Sequence, residues 1–161
     1  MSNTIKAYLV MACVPFVLMT QHGEKKMSSD QQQVIEQAIV DVQAKMQQAA
    51  QQGDVDALYA YVLKMDKGVI IEDGRIRWTR QEALNSTKQG LQGLKDLSYV
   101  YTQKHITVIS PAMALWVGEG TSSAILQDGR QISAPFAESI LFVQKDGQWK
   151  VFHAHRSVPN Q

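Results

Sequence analysis

The residues of this chain that could do chemistry gather in its C-terminal third. His153 and His155, with Ala154 between them, would hold two imidazoles about 7 Å apart on one face of a strand, a spacing that a metal ion can bridge. No third ligand is evident nearby, and such a surface fits a subunit contact better, so no metal and no cofactor are expected. Glu119, Glu138 and Arg156 are charges set in stretches of otherwise apolar alternation. Buried there, each would have to pair, reach water or meet a ligand. Tyr59, Tyr61, Tyr99, Tyr101 and Asp66 are further proton-transfer types, and Trp78 and Trp116 could wall a cavity or a dimer contact.

Strand alternation sorts these candidates by face. In the last apolar stretch it groups Phe152, Ala154 and Arg156 against Trp149, His153 and His155. In the stretch from Ala112 it groups Leu115, Val117 and Glu119 against Trp116, Gly118 and Gly120. In the next, Glu138, Ile140 and Phe142 lie together.

The elements that must position them follow from periodicity. Ser29 with Gln32 has capping-box spacing, and Ile35, Ala38, Ile39, Val42, Met46 and Ala49 recur every three or four residues, which predicts an amphipathic helix ended by Gly53. Asp54 then caps a shorter helix carrying Ala57, Leu58, Tyr61 and Val62. Residues 68–72 and 75–78 read as a hairpin about Asp73-Gly74. Thr79 with Glu82 caps a third helix that Gly90 or Gly93 would end. Four strands follow, over 97–109, 112–126, 131–144 and 148–158, with breaks at Ser110-Pro111, Asp128-Gly129 and Asp146-Gly147. Strands of that length twist, and Gly118, Gly120 and Pro135 are where bending or a bulge is expected. A bent antiparallel sheet with helices across one face leaves a cavity, the default place for a ligand.

Composition narrows the function classes. The 161 residues suit one domain, and 16 basic against 15 acidic residues give a net charge of +1 with no long runs, so nucleic acid is not an expected partner. The single cysteine, Cys13, lies upstream of the folded body, which leaves no thiol there for a disulfide or a nucleophile. Residues 1–27 read as a signal-peptide-like segment and linker: a short basic start, an uncharged run from Ala7 to Met19 and a polar exit. That run is too short for an integral membrane span. Export is the expectation. A lipobox-like Val10-Met11-Ala12-Cys13 and a cytoplasmic protein starting at Met27 are the alternatives, and residues 28–161 form the domain in each case.

The ending Trp149-Lys150-Val151-Phe152-His153-Ala154-His155-Arg156-Ser157, the Gly53-Asp54 junction and the Asp73-Gly74 hairpin with its following helix together resemble the nuclear transport factor 2-like superfamily. Within it they are similar to the SnoaL-like and kinase-association-domain branch, over about residues 30–158. The resemblance implies an α+β, cone-shaped fold with N-terminal helices packed on a strongly curved antiparallel sheet. It also implies homodimers, here through the outer sheet face, with Arg156 turned into the cone and His153 and His155 outward. On that orientation Glu119 and Glu138 turn inward as well, with Tyr59, Trp78 and Tyr101 completing the pocket. Where the association-domain branch carries further arginines, this chain has Glu119 and Ile140.

Two function classes follow. One is a binding or assembly module whose cone holds a small hydrophobic or carboxylated ligand, with Glu and Arg closed into a salt bridge. The other is a cofactor-independent acid–base enzyme of isomerase, cyclase or hydratase type, in which Arg156 grips a carboxylate and a glutamate moves a proton. No catalytic set of the isomerases or cyclases matches residue by residue. A third arrangement, without a small ligand, would bury Trp116, Trp149 and the two histidines between subunits.

Overall fold

The computed structural model describes residues 27–64, 70–72 and 74–159. Residues 1–26 of the signal-peptide-like segment, Asp66 and Asp73 lie outside the described residues. Helix α1 spans Ser29–Gln51, α2 Val55–Ala60 and α3 Arg80–Leu91, and the strands are β1 Ile70–Glu72, β2 Arg75–Arg77, β3 Leu94–Ser110, β4 Met113–Leu126, β5 Gln131–Lys145 and β6 Gln148–Ser157. The fold is the expected α+β cone: the helices cover one face of a curved six-stranded sheet of order β2-β1-β6-β5-β4-β3.

Local chemistry accounts for the boundaries. The α1 capping box is made by Ser28 and Gln31, one residue before the expected pair. Ser28 Oγ accepts from the Gln31 N–H, and the Gln31 side chain accepts from the Ser28 N–H. The repeats Ser28-Ser29 and Gln31-Gln32-Gln33 satisfy the spacing in two registers, and the earlier one gives the longer helix. Gly53, at φ 69°, turns the chain in the left-handed region, and Asp54 caps α2 through the Ala57 N–H. Thr79 caps α3, while Glu82 reaches past it to the Trp78 N–H. α3 stops at Leu91 with Gln92 as its cap, between the two expected glycines.

The long strands run antiparallel from β3 to β6, and β1 joins β6 in parallel. Asp146 and Gly147, both at positive φ, make a two-residue turn between Lys145 and Gln148. The curvature has a visible cause beside Gly120: the β3 pairing slips between Tyr101 and Gln103, and a Cβ at Gly120 would stand 2.1 Å from the Val100 carbonyl oxygen. Pro135 is not a bulge. It pairs regularly with Thr121 and lies beyond the last β5–β6 pair, Ala137 with Ser157, where its missing N–H leaves no partner unsatisfied on that side.

Burial of Ile39 on α1 against Phe142, Val151 and Trp149 forms the core between helices and sheet. Trp116 and Trp149 are both inside it, which corrects the arrangement that placed them between subunits.

Candidate functional site

Two departures from simple alternation decide which side chains meet inside the cone. The first is the loop between β4 and β5. A two-residue turn at Asp128-Gly129 would set Glu119 opposite Glu138. Instead the Leu126 N–H donates to the Arg130 carbonyl and the Gly129 N–H donates to the Leu126 carbonyl, so residues 127–129 form a three-residue loop closed by Gly129 at φ 86°. That offset pairs Glu138 with Gly118 and Glu119 with Ala137. Glu138 therefore faces inward, and Glu119 is exposed on the outer face. The expected cluster of Glu119, Glu138 and Arg156 is corrected to Glu138 and Arg156 alone.

The second departure is a bulge in β6. Phe142 pairs with Val151 but Leu141 pairs with His153, so Phe152 is the extra residue and the faces exchange across it. Trp149 and Val151 then share the inner face with Ala154 and Arg156, whereas Phe152, expected inward, is 39% exposed. The same bulge sets Arg156 directly opposite Glu138. Without it, His155 would occupy that place.

The polar centre built this way is tightly bonded. Arg156 donates from Nη2 and Nε to Oε2 of Glu138 at 2.8 and 3.2 Å, and from Nη1 to the Tyr99 hydroxyl at 3.1 Å. Its guanidinium lies over the rings of Tyr99 and Phe136, 4.8 and 5.1 Å from their centroids. The other oxygen of Glu138 accepts from the Tyr101 hydroxyl and from Nε2 of Gln43. Gln43 Nε2 also donates to the Tyr101 oxygen at 2.8 Å. Burial, reinforced by the Glu138 carboxylate, raises the Tyr101 phenol far above its ordinary value. Burial works against the Arg156 charge, but the neighbouring Tyr99 and Glu138 outweigh it and its pKa moves up.

This centre forms one wall of a half-enclosed cavity of about 320 Å³. Leu58, Val62, Ile70, Leu91, Leu97, Ile140 and Ala154 supply apolar lining, with Met46 and Ala50 from the inner side of α1. Tyr59 lines it too: its hydroxyl bonds Thr87 at 2.8 Å, and burial pushes its pKa up to about 12. Trp78 does not line it. It sits at the start of α3 and is 56% exposed, because the short β2 ends before it and its backbone N–H is turned to Glu82. Gln43 and Tyr99 are lining residues that the sequence reading left out of the pocket. Gln43 lies among the glutamines of α1, and its only signal is its position four residues from Ile39 on the buried face.

Residues 39–161 match the family model described as the SnoaL-like domain. The chain belongs to the SnoaL-like family. No curated protein matches this SnoaL-like domain in sequence. Among solved structures it is similar to a nuclear transport factor 2-like superfamily protein from Salmonella enterica serovar Typhimurium, with a TM-score of 0.71 and 14% identity over 81% of this chain and 94% of that one. It is similar to a type 2 hexachlorocyclohexane dehydrochlorinase, LinA, with a TM-score of 0.70 and 15% identity over 83% of this chain and 90% of that one. The association domain of calcium/calmodulin-dependent protein kinase II from C. elegans gives a TM-score of 0.65 and 16% identity over 80% of this chain and 98% of that one. Such identities establish the shared nuclear transport factor 2-like fold, which serves binding modules and enzymes alike.

Among the described residues no cluster of three or more His, Cys, Asp or Glu is placed to hold a metal, and no helix is long and apolar enough to cross a membrane. His155 is exposed, and His153 is half-buried beside Leu141 on the outer face.

Proposed function

We propose that this SnoaL-like domain is a small-molecule-binding module whose cone holds a compact, largely apolar ligand with a carboxylate or similar acceptor directed at Arg156. The observation that carries this reading is the state of Glu138. Both of its oxygens are occupied by Arg156, Tyr101 and Gln43, which leaves it no lone pair readily free to take a substrate proton, while the cavity beside it stays open. Three of the five N–H groups of Arg156 are in use, and the other two have no partner among the described residues. An acceptor group entering the cavity can take them.

A thermal-shift screen of the full chain against small carboxylates, steroids and polyketide-like aromatics tests this, with Arg156→Met in parallel. A ligand at a hundredfold excess over its Kd should raise Tm by about 5 °C or more, and the Arg156→Met protein should lose the carboxylate response. Silence from every class would sink the reading. A second reading, a cofactor-independent acid–base enzyme, has one observation in its favour: the Tyr101 hydroxyl and Glu138 form a bonded pair on the cavity wall. Chemical conversion of any bound probe would establish it.

We further propose a homodimer through the outer sheet face. Cross-strand pairing brings Leu115 beside Leu141 and Met113 beside Val143 there, with exposed Val117 adjoining, and the similar kinase domain is an association domain. Light scattering should give twice the chain mass, and Leu141→Arg should return a folded monomer. A monomeric parent chain would remove this proposal. Export through residues 1–27 remains a proposal resting on the sequence.

A further inference from the structure

We infer that the ligand of this cone is zwitterionic, a compact amino acid with an apolar side chain, whose carboxylate meets Arg156 and whose ammonium meets Glu72. This rests on the small-molecule reading above and specifies the ligand's chemistry. Strand pairing sets Glu138 on β5, Arg156 on β6 and Glu72 on β1 side by side. Paired residues share a face of the sheet, so Glu72 stands on the inner face beside Arg156, as Ile70 stands beside Ala154. All of these residues line the cavity. The Glu72 carboxylate is felt in the helix layer as well, where it adds to the rise that burial causes in the Tyr59 pKa.

Both charges can be reached from the cavity side of the sheet. The side chains of Glu72 and Arg156 keep 25% and 34% of their surface exposed. They are neighbours, yet no hydrogen bond or ion pair joins them among the described residues. Arg156 is bonded to Glu138 and Tyr99, and Glu72 takes Nε of Arg77 on Oε1 at 3.0 Å, which leaves its Oε2 open. Arg77 is not a lining residue, so within the lining two carboxylates, Glu72 and Glu138, stand against one guanidinium. A simple carboxylate entering beside Arg156 brings a third negative group into that space. An ammonium next to it offsets that charge, and Glu72 receives the ammonium in a charge-assisted bond. Leu58, Val62 and Leu91 then face the apolar remainder.

Calorimetric titration of the full chain at pH 7 with phenylalanine and with 3-phenylpropanoate, which lacks only the amino group, tests the assignment. Phenylalanine should bind roughly five- to tenfold more tightly, the partial exposure of Glu72 moderating the gain. Glu72→Gln keeps the side chain's shape, and circular dichroism checks its fold. It should move the two ligands apart in direction: phenylalanine weakens by about that factor, while 3-phenylpropanoate binds as well as before or better. Weakening of both ligands together would mark Glu72 as structural support and overturn the inference. Equal affinities in the parent protein would also overturn it and leave the binding reading standing, as would a preference for phenylalanine that survives Glu72→Gln. If neither acid binds, the small-carboxylate reading fails, and the inference fails with it.

Discussion

Successive inward positions along β4, β5 and β6 pass from a packed region to an open one. On β5 they run Phe142, Ile140, Glu138; on β6 Trp149, Val151, Ala154, Arg156; on β4 Ala114, Trp116, Gly118. At the first of these positions the side chains fill the space between α1 and the sheet, and Phe142 has no exposed surface. At the last, the Glu138–Arg156 pair with Tyr99 and Tyr101 borders a cavity of about 320 Å³. One backbone pattern produces both ends. What distinguishes them is side-chain bulk and polarity, so the packed end supplies stability and the open end keeps a costly buried ion pair beside the cavity.

Substitutions at the two ends should differ in kind as well as size. Phe142→Ala, at the packed end, should lower unfolding free energy by about 3–5 kcal/mol in a urea titration, from lost transfer energy plus a cavity. A loss below about 1 kcal/mol would show that this end is as loosely packed as the other. Arg156→Ala should lower it by about 2–3 kcal/mol, because Glu138 keeps its burial and loses its cation, with partial exposure of Arg156 moderating the loss. Replacing both residues by Met should be milder than Arg156→Ala alone; an equal or larger loss in the double variant would mean that the pair itself stabilises the cone.

Gly118→Ala sits at the junction of the two regions. Its Cβ would stand 3.0 Å from the Tyr101 ring and 3.1 Å from Nε1 of Trp116, so the ring must shift and loosen its bond to Glu138. A loss of about 1–2 kcal/mol is expected, with a changed near-ultraviolet circular dichroism spectrum. The smallest effect is a pH dependence. Tyr59 is raised from 10.0 to about 12 by burial, so below pH 10 both folded and unfolded forms carry the phenol proton and its contribution is fully present. Above pH 10 the unfolded chain ionises first, and stability falls as pH rises toward the folded value, by about 1 kcal/mol at pH 11. Tyr59→Phe should start lower, having lost the Thr87 bond, and show a shallower alkaline decline. Tyr101, shifted in the same direction, leaves a remainder.

Most of the architecture was legible because its signals are local. The capping residues, the Gly53 turn, the Asp-Gly turns and strand-length alternation each act within a few residues, and the elements they imply are present with ends displaced by one to three residues. The resemblance of the ending around Arg156 supplied the cone. The site was less legible because face assignment depends on registers that single residues shift. Whether Asp128-Gly129 turns in two residues or three decides if Glu119 or Gly118 stands beside Glu138. The extra residue at Phe152 moves Trp149 from the outer face to the inner one. Neither shift has a strong composition signal: Phe152 is an ordinary strand residue, and the same Asp-Gly pair makes a two-residue turn at Asp146-Gly147. Gln43 escaped notice because its chemistry depends on Tyr101 and Glu138, 58 and 95 positions away in sequence.

The most direct measurement on the central claim is calorimetric titration of phenylacetate into the full chain and into Arg156→Met, with mass spectrometry of the recovered probe. A binding module should give saturable binding in the parent protein, weakened at least tenfold in Arg156→Met, and return the acid unaltered. No binding, or binding indifferent to Arg156, would contradict the pocket reading, and a chemically changed probe would make the domain an enzyme.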